Sequence, residues 1–456
     1  MVSGEDLVEH MLWVASGKPL PDRFIKNPFV ESKGWSFESR VYAEDPIRNF
    51  LPSIGPLITY HEPESTVSGG NSFRDAQAVY DASPDGTVVR VDSGVYEGGE
   101  ISMYYDPMIS KLITHGPDRP SALRAMARAL DEYIIAGLGN NLSFLRSVVR
   151  NEKFAKGDYG TKFIEEEYPD GFKGVELREN EVRRLVALGA TLYWAKQGRE
   201  SGSGGDDDMG GSNAFVVTLP KGGEQQEERC FAAAVSMDGD FDGNYDGDYG
   251  DDDFEYNDFA LDGLTVRLWD LDEISRPPSE ESGSKHYANH PIVVRDLDWR
   301  NGSPDIRVHL SDDHGDDEGS VLTKVEATDD ESEAVTFEGR TGAGFMLRYR
   351  GARRHVVIRS PRDHELSGHM LVPEEKDMSA FLVCPMPGTL ISCAVQEGDV
   401  VEEGQPLAVV EAMKMQNVLR AEKAGRIAAV KVEAGQHLKV DQIILEFAQD
   451  DAQEVA

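Results

Sequence analysis

Two short stretches carry side chains whose type and setting could do chemistry. Near the C-terminus, Glu411-Ala412-Met413-Lys414-Met415 sets one amine between two thioethers. It stands between runs that echo each other: Gly388 to Gly398 reads GTLISCAVQEG, and Gly425 to Gly435 reads GRIAAVKVEAG. The echo continues with Leu407 matched by Ile444 and Val410 by Phe447. Each run alternates and closes on glycine, as short strands of a small antiparallel sandwich do. A quasi-two-fold β-domain would place the segment between its halves at a tight turn, with Lys414 at the tip, flanked by Met413 and Met415. Apolar residues at a hairpin tip cost solubility, so the segment is unusual for a surface charge; a solvated lysine is the plain alternative.

The second stretch is Trp35-Ser-Phe-Glu-Ser-Arg40-Val-Tyr-Ala-Glu-Asp45-Pro46. Its period of two sends Trp35, Phe37, Ser39 and Val41 one way and Glu38 and Arg40 the other. Arg40 is thus expected on the face away from the core. A fixed guanidinium offers directed donors and a permanent positive charge, which suits it to an anionic oxygen. The alternative is an edge ion pair with Glu44 or Asp45.

Two further candidates carry less. Asp242-Gly-Asn244-Tyr-Asp246-Gly247 reads as half a calcium loop, but Asp253 stands where a bidentate Glu is usual, and flanking helices are absent. A solvated acidic loop is expected there. His286 and His290 are four apart within a Pro/Ser/Gly-rich loop and are expected in solvent; no metal site is assigned.

The elements that must position these residues follow from periodicity. A helix is expected over Gly4 to Ser16, with Leu7, Val8, Met11, Leu12 and Val14 on an apolar face that has no earlier element to pack on. Val88 to Gly94 alternates as a strand. Tyr104 to Leu112 leads into another. A helix over Arg119 to Ala136 would be capped by Asp118 and face inward through Leu123, Met126, Ala127, Leu130, Tyr133 and Ile134. Glu176 to Gln197 is apolar around most of its circumference, so it should be wrapped rather than laid on a surface. About eight short strands follow: 214–218, 263–269, 292–297, 306–310, 321–327, 334–338, 345–349 and 354–359. A buried helix before such a series suggests a barrel coiled round it.

Composition sets the frame. The chain has 456 residues, 39% hydrophobic, with net charge −37, enough for about two to four domains. That charge disfavours nucleic acid and anionic membrane surfaces, and no apolar run reaches membrane-spanning length. Three cysteines, Cys230, Cys384 and Cys393, form no CxxC and fit a reducing compartment. No targeting peptide is visible at the N-terminus.

The words of the sequence resemble a family. The AMKM segment within its repeat resembles the biotinyl carrier domain of biotin-dependent carboxylases over roughly Ala380 to Ala448, with Cys384-Pro385-Met386-Pro387-Gly388 similar to that family's PMPG. Lipoyl domains share the fold, but their modified lysine typically follows Asp, and Met413 stands here instead. ESRVYAEDP, LPSIG and VYEGGEISMYYDPMISKLITHG resemble the biotin carboxylase C-terminal subdomain, and the similarity runs to GTKFIEEEYPDGF at Phe172. The subtype most resembled is the propionyl-CoA carboxylase alpha subunit, a ligase.

That resemblance implies a multidomain α+β chain. Residues 1–172 would be a biotin carboxylase C-terminal subdomain. Residues 173–370 would be a linking domain, a helix in an antiparallel β-barrel that docks a carboxyltransferase beta subunit, with acidic insertions at 200–212 and 238–258. A linker at 371–379, an all-β barrel-sandwich carrier at 380–448 and a tail at 449–456 complete it. The resemblance further implies biotin on Lys414, attached by a biotin protein ligase, with Met413 and Met415 beside it. It implies a catalytic role for Arg40 at the ureido oxygen of biotin. It implies ATP, Mg and bicarbonate in the complete enzyme, an alpha-beta hetero-oligomer and a mitochondrial matrix location. No Gly-rich phosphate loop appears in residues 1–170, so the chain alone is expected not to charge biotin. Alternatives are a methylcrotonyl-CoA carboxylase alpha chain, or a non-enzymatic biotin carrier and docking protein.

Overall fold

A computed structural model describes residues 2–3, 5–27, 29–30, 32–65, 86–102, 105–200, 213–220, 228–237, 260–261, 264–270, 292–299, 304–312, 333–370, 380–412 and 415–448. The chain divides into two compact units, residues 1–173 with 372–456, and residues 174–371.

In the N-terminal region, helix α1 (Leu7–Ala15) starts with its apolar face and three residues later than the expected Gly4, because Asp6 caps it by accepting from the Glu9 N–H. None of its residues is buried, and Leu7, Val8, Met11 and Leu12 are exposed. Strands β1 (Trp35–Tyr42), β2 (Val88–Ser93) and β3 (Met108–Gly116) form an antiparallel sheet in the order β1-β3-β2. Helix α2 (Arg119–Glu132) packs on one face of it, with Asp118 accepting from the Ser121 N–H at 2.8 Å. Val41, Ile109, Leu112, Met126, Leu130 and Tyr133 lie in this core. The helix does not reach Ala136: Tyr133 turns extended and Ile134–Ala136 pairs antiparallel with Thr59–His61. Two β-branched residues in succession favour that ladder over another helical turn. Helix α3 (Leu142–Arg150) follows and meets α2, with Arg146 Nε donating to both carboxylate oxygens of Asp131 at 3.0 Å.

The second unit is a barrel round a helix. Helix α4 (Glu179–Glu200) starts where Glu181 reaches back to accept from the Arg178 N–H at 2.7 Å, half of a capping box. That bond places the start three residues beyond the Glu176 expected from pattern. Strands β4 (Ala214–Leu219), β5 (Arg229–Met237), β6 (Leu264–Asp270), β7 (Ile292–Trp299), β8 (Asp305–Asp312), β9 (Glu333–Thr341), β10 (Gly344–Tyr349) and β11 (Ala352–Arg359) pair antiparallel in the order β7-β6-β5-β4-β11-β10-β9-β8. Pairing of β7 with β8 closes the ring. Leu185, Leu188, Leu192 and Trp194 of α4 share one core with Phe215, Phe231, Trp299, Phe345 and Tyr349 of the wall. Helix and wall touch closely at Gly189, where a Cβ would fall 2.7 Å from Val356 Cγ1. Strand β5 was not expected; its central Ala232-Ala233-Ala234 has little β-propensity, and full pairing with β4 and β6 decides it. The expected strand 321–327 and the acidic stretches 201–212 and 238–258 lie outside the described residues.

The C-terminal region is a sandwich of two four-stranded sheets. Its strands are β12 (Phe381–Val383), β13 (Gly388–Cys393), β14 (Val400–Val401), β15 (Pro406–Ala412), β16 (Met415–Arg420), β17 (Gly425–Val430), β18 (His437–Leu438) and β19 (Ile443–Phe447). The sheets run β12-β19-β17-β14 and β16-β15-β13-β18, and each becomes the other when the two echoing runs are exchanged. The register obeys the same exchange: Gly388 pairs with Leu438 as Gly425 pairs with Val401. So do the loop bonds. Cys384 N–H to Gln442 C=O is mirrored by Ala421 N–H to Gln405 C=O, and Ala394 to Leu407 by Lys431 to Ile444. Gly398 and Gly435 both adopt positive φ, 93° and 88°, at matching turns.

Candidate functional site

Arg40 stands on the solvent face of β1, as its alternation requires; Val41 beside it is fully buried. Its side chain is 62% exposed, and Nε donates to Glu38 Oε1 at 3.1 Å. Neither expected edge partner holds it. Asp45 accepts from the Ile47 N–H at 3.0 Å and faces Arg48 at 3.8 Å. Glu44 is half-buried, and burial and then the charge of Asp106 raise its carboxyl above the usual range. Glu38 and then the Tyr42 hydroxyl raise the guanidinium pKa further, so Arg40 is a permanent cation.

Across the sheet, Arg40 lies opposite Lys111, and Lys111 lies opposite Asp92. The next row is Glu38, Ile113 and Arg90, with Arg90 bonded to Asp92 at 2.6 Å. One face of this sheet therefore carries charge while the other packs on α2. Such a face can hold an anion at the Arg40–Lys111 step and leave the fold undisturbed.

The backbone under Arg40 is held by a residue that periodicity did not single out. Asn141 Nδ2 donates to the Arg40 carbonyl at 3.1 Å, and its Oδ1 accepts from the Tyr42 N–H at 2.9 Å. No local pattern marks this use, because the two residues stand 101 positions apart in the chain.

In the sandwich, β15 and β16 pair until Ala412 meets Met415. Residues 413 and 414 are the connection between those paired ends; Met413 and Lys414 themselves, and the Met415 side chain, lie outside the described residues. Ala412 is buried, and Glu411 and Gln416 face each other one pair back, 3.5 Å apart. Both remaining cysteines of this region serve packing. Cys384 is buried, its thiol pushed up by desolvation and donating to the Met386 carbonyl at 2.9 Å. Cys393 packs against the same core.

Arg40 and Lys414 belong to regions with separate cores. Among the described residues no three His, Cys, Asp or Glu side chains cluster as a metal site, and no helix is long and apolar enough to cross a membrane.

Residues 77–166 match the family described as "Biotin carboxylase C-terminal domain", and residues 381–447 match "Biotin-requiring enzyme". A propionyl-CoA carboxylase alpha chain of Ruegeria pomeroyi is 38% identical over 98% of this chain and 56% of its own length. The mitochondrial propionyl-CoA carboxylase alpha chain of Mus musculus is 32% identical over 98% of this chain and 50% of its own length. The mitochondrial methylcrotonoyl-CoA carboxylase subunit alpha of Oryza sativa subsp. japonica is 27% identical over 96% and 52%. A solved biotin carboxylase subunit of pyruvate carboxylase is 33% identical over 37% of this chain and 32% of that chain, with a TM-score of 0.30. The chain spans about half the length of the curated relatives it matches. A match to the biotin carboxylase C-terminal domain lies toward one end and a match to the biotin-requiring domain toward the other, and between and around them the chain is similar along 98% of its length to propionyl-CoA carboxylase alpha chains.

Proposed function

We propose that this chain serves as the alpha side of a biotin-dependent carboxylase acting on propionyl-CoA, with Lys414 as the biotin-bearing residue and Arg40 as a catalytic residue. One observation carries the reading: the repeat-built sandwich pairs its strands up to Ala412 and Met415, so the only amine in the connection is that of Lys414. The residues fit biotin, because the ligand needs a primary amine to form its amide, and the strand ends on either side are anchored by the ladder. Bound biotin supplies a ureido group that carries a carboxyl between sites. Arg40 binds and neutralises negative charge on an oxygen brought to the solvent face of β1, and Lys111 adds a second cation at the same step. Met413 and Met415 flank the lysine in sequence with soft, adaptable apolar side chains, suited to handling by other surfaces.

The rest of the reading concerns the assembled enzyme. ATP, magnesium ion and bicarbonate charge biotin, and a carboxyltransferase beta subunit docks on the α4 barrel and passes the carboxyl group to the acyl-CoA. A biotin protein ligase modifies Lys414. Residues 371–379 tether the carrier and keep its effective concentration high at both sites. A mitochondrial matrix location belongs to the same proposal; the mouse relative is named mitochondrial and the Ruegeria pomeroyi relative is not. The chain of 456 residues is expected not to cleave ATP by itself.

The test is direct. Co-expression with a biotin ligase should make the chain bind streptavidin, and Lys414→Arg should abolish the signal. A signal that survives the substitution refutes the assignment. Phosphate release dependent on biotin and bicarbonate, lost in Arg40→Ala, tests the second residue in the assembled enzyme.

A further inference from the structure

Asn141 immediately precedes α3, where an asparagine ordinarily turns its side chain onto the free N–H groups of its own helix. Here it makes no such bond. The Leu142 N–H goes instead to Asn140 Oδ1 at 3.2 Å. The Asn141 amide lies against the outer edge of β1, the edge that β3 leaves unpaired. Three bonds are made there: Nδ2 to the Arg40 carbonyl at 3.1 Å, Tyr42 N–H to Oδ1 at 2.9 Å, and Asn141 N–H to the Tyr42 carbonyl at 3.2 Å. The side chain and main chain of one residue thus stand in for a fourth strand. The amide has one workable orientation, because a flip would set donor against donor and acceptor against acceptor.

The place where this happens matters. The β1–β3 ladder loses its register between Val41 and Tyr42, one residue beyond Arg40, so the sheet's own bonding loosens where the guanidinium leaves it. Asn141 is buried, and its loop is fastened on both sides. Gly139 N–H donates to Ser53 Oγ at 2.9 Å, and Ile58 N–H to the Ala136 carbonyl at 2.9 Å. Gly137, at φ 105°, packs so closely that a Cβ would fall 2.4 Å from the Pro56 carbonyl.

We infer that Asn141 is a positioning residue for Arg40: by clamping the β1 backbone on both sides of Val41, it sets the direction in which the guanidinium leaves the sheet. This rests on the role given to Arg40 above. A small displacement of a charged group from its reacting partner is costly in rate while leaving remote binding intact.

The test uses the complete alpha chain with its partner subunit, reading phosphate release dependent on biotin and bicarbonate. Asn141→Ala should lower kcat by about tenfold or more with the KM for ATP unchanged. Asn141→Asp keeps the acceptor for the Tyr42 N–H but replaces the donor to the Arg40 carbonyl; it should fold and still lose kcat, and it carries the comparison if the alanine variant does not fold. Asn140→Ala should keep wild-type kcat. Hydrogen exchange at the Tyr42 amide, measured on the 456-residue chain, should accelerate in Asn141→Ala and not in Asn140→Ala. Wild-type kcat in both Asn141 variants, with Arg40→Ala inactive, overturns the inference and leaves the reading of Arg40 standing. Equal losses in Asn140→Ala and Asn141→Ala also overturn it, since the loop as a whole would then be responsible. Wild-type turnover in Arg40→Ala overturns the reading of Arg40 itself, and the inference falls with it.

Discussion

The barrel and the carrier sandwich are both antiparallel β, yet they fill their interiors in different ways. The sandwich core is made of mates. Cys384 answers Ala421, Leu390 Ile427, Val395 Val432, Val401 Leu438, Leu407 Ile444, Ala408 Leu445 and Val410 Phe447, which accounts for every buried residue of the cluster; Met386 and Ala412 are buried outside it. Even the half-buried Leu382 and Cys393 answer Leu419 and Val430. The barrel has no such duplication. Its strands converge on α4, whose residues from Leu185 to Ala195 bury almost all of their surface. Stability in the sandwich is shared between equivalent halves, whereas in the barrel it is concentrated in one helix.

The largest expected effect strikes that helix. Leu188→Asp sets a carboxylate in the hydrophobic core that α4 shares with the wall, and burying a charge there costs several kcal/mol, about 4 or more. The barrel should lose protection in hydrogen exchange while the sandwich keeps its own, since distant sites act independently. Simultaneous loss in both would erase the contrast.

Next come the mates. Leu407→Ala and Ile444→Ala each remove a fully buried side chain, and each should cost about 3 kcal/mol, with the two values within about 1 kcal/mol of each other. Denaturant unfolding of the two variants measures this. A large inequality would mean that the repeat is shared in backbone but not in energetics.

A third prediction uses the N-terminal sheet, whose core holds hydroxyls. Tyr133 bonds to Ser110 at 2.6 Å, and Tyr60 to Ser93 at 2.9 Å. Burial raises the pKa of both phenols above the ordinary tyrosine value. Below pH about 10 the folded and unfolded chains both keep these protons, and the full stability is present. As pH rises further the unfolded chain releases them first, so stability falls by up to about 1.4 kcal/mol per pH unit for each phenol. Tyr133→Phe should shallow that alkaline decline. Denaturant midpoints followed from pH about 8 to about 11 would show it, and an unchanged slope would count against the buried phenol as its source.

The smallest effect lies where the barrel ends. Ser360 closes β11 and caps the helix Pro361–Ser367, accepting from the Asp363 N–H at 3.1 Å. Ser360→Ala should cost about 1 kcal/mol, readable as a small shift in the thermal midpoint, with the α4 core intact.

What could be read from the chain follows the same contrast. The sandwich was legible as a quasi-two-fold antiparallel domain because the repeat is written in the letters, glycine turns included; its strand order appears only in the fold. The buried helix of the barrel was legible from its missing polar face. Strand β5 was not, because Ala232, Ala233 and Ala234 carry no strand preference of their own and are held by neighbours far off in sequence. The ends of α2 and α4 were misplaced for like reasons: Ile134 finds a partner in His61, and Glu181 fixes the start of its helix with one bond. At the candidate site, alternation gave the face of Arg40 correctly. It could not give Glu38 in place of Glu44 or Asp45 as partner, since that depends on which carboxylates the turn after Tyr42 carries away. Asn141 was invisible because it follows Arg40 by a hundred residues and meets it only in the fold.

The exchange of halves in the sandwich also decides how the carrier can be held. It carries the Ala412–Met415 connection onto the place where the chain enters at Ala380 and leaves at Ala448, which the Phe447 N–H ties to the Ala380 carbonyl at 2.8 Å. The Ala412 and Met415 strand ends and the Ala380 and Ala448 chain ends are therefore related as the two ends of a spindle, on opposite sides of its axis. An anchor at Ala380 and Ala448 would thus hold the sandwich at the end remote from Ala412 and Met415, and the width of the folded domain itself separates the two.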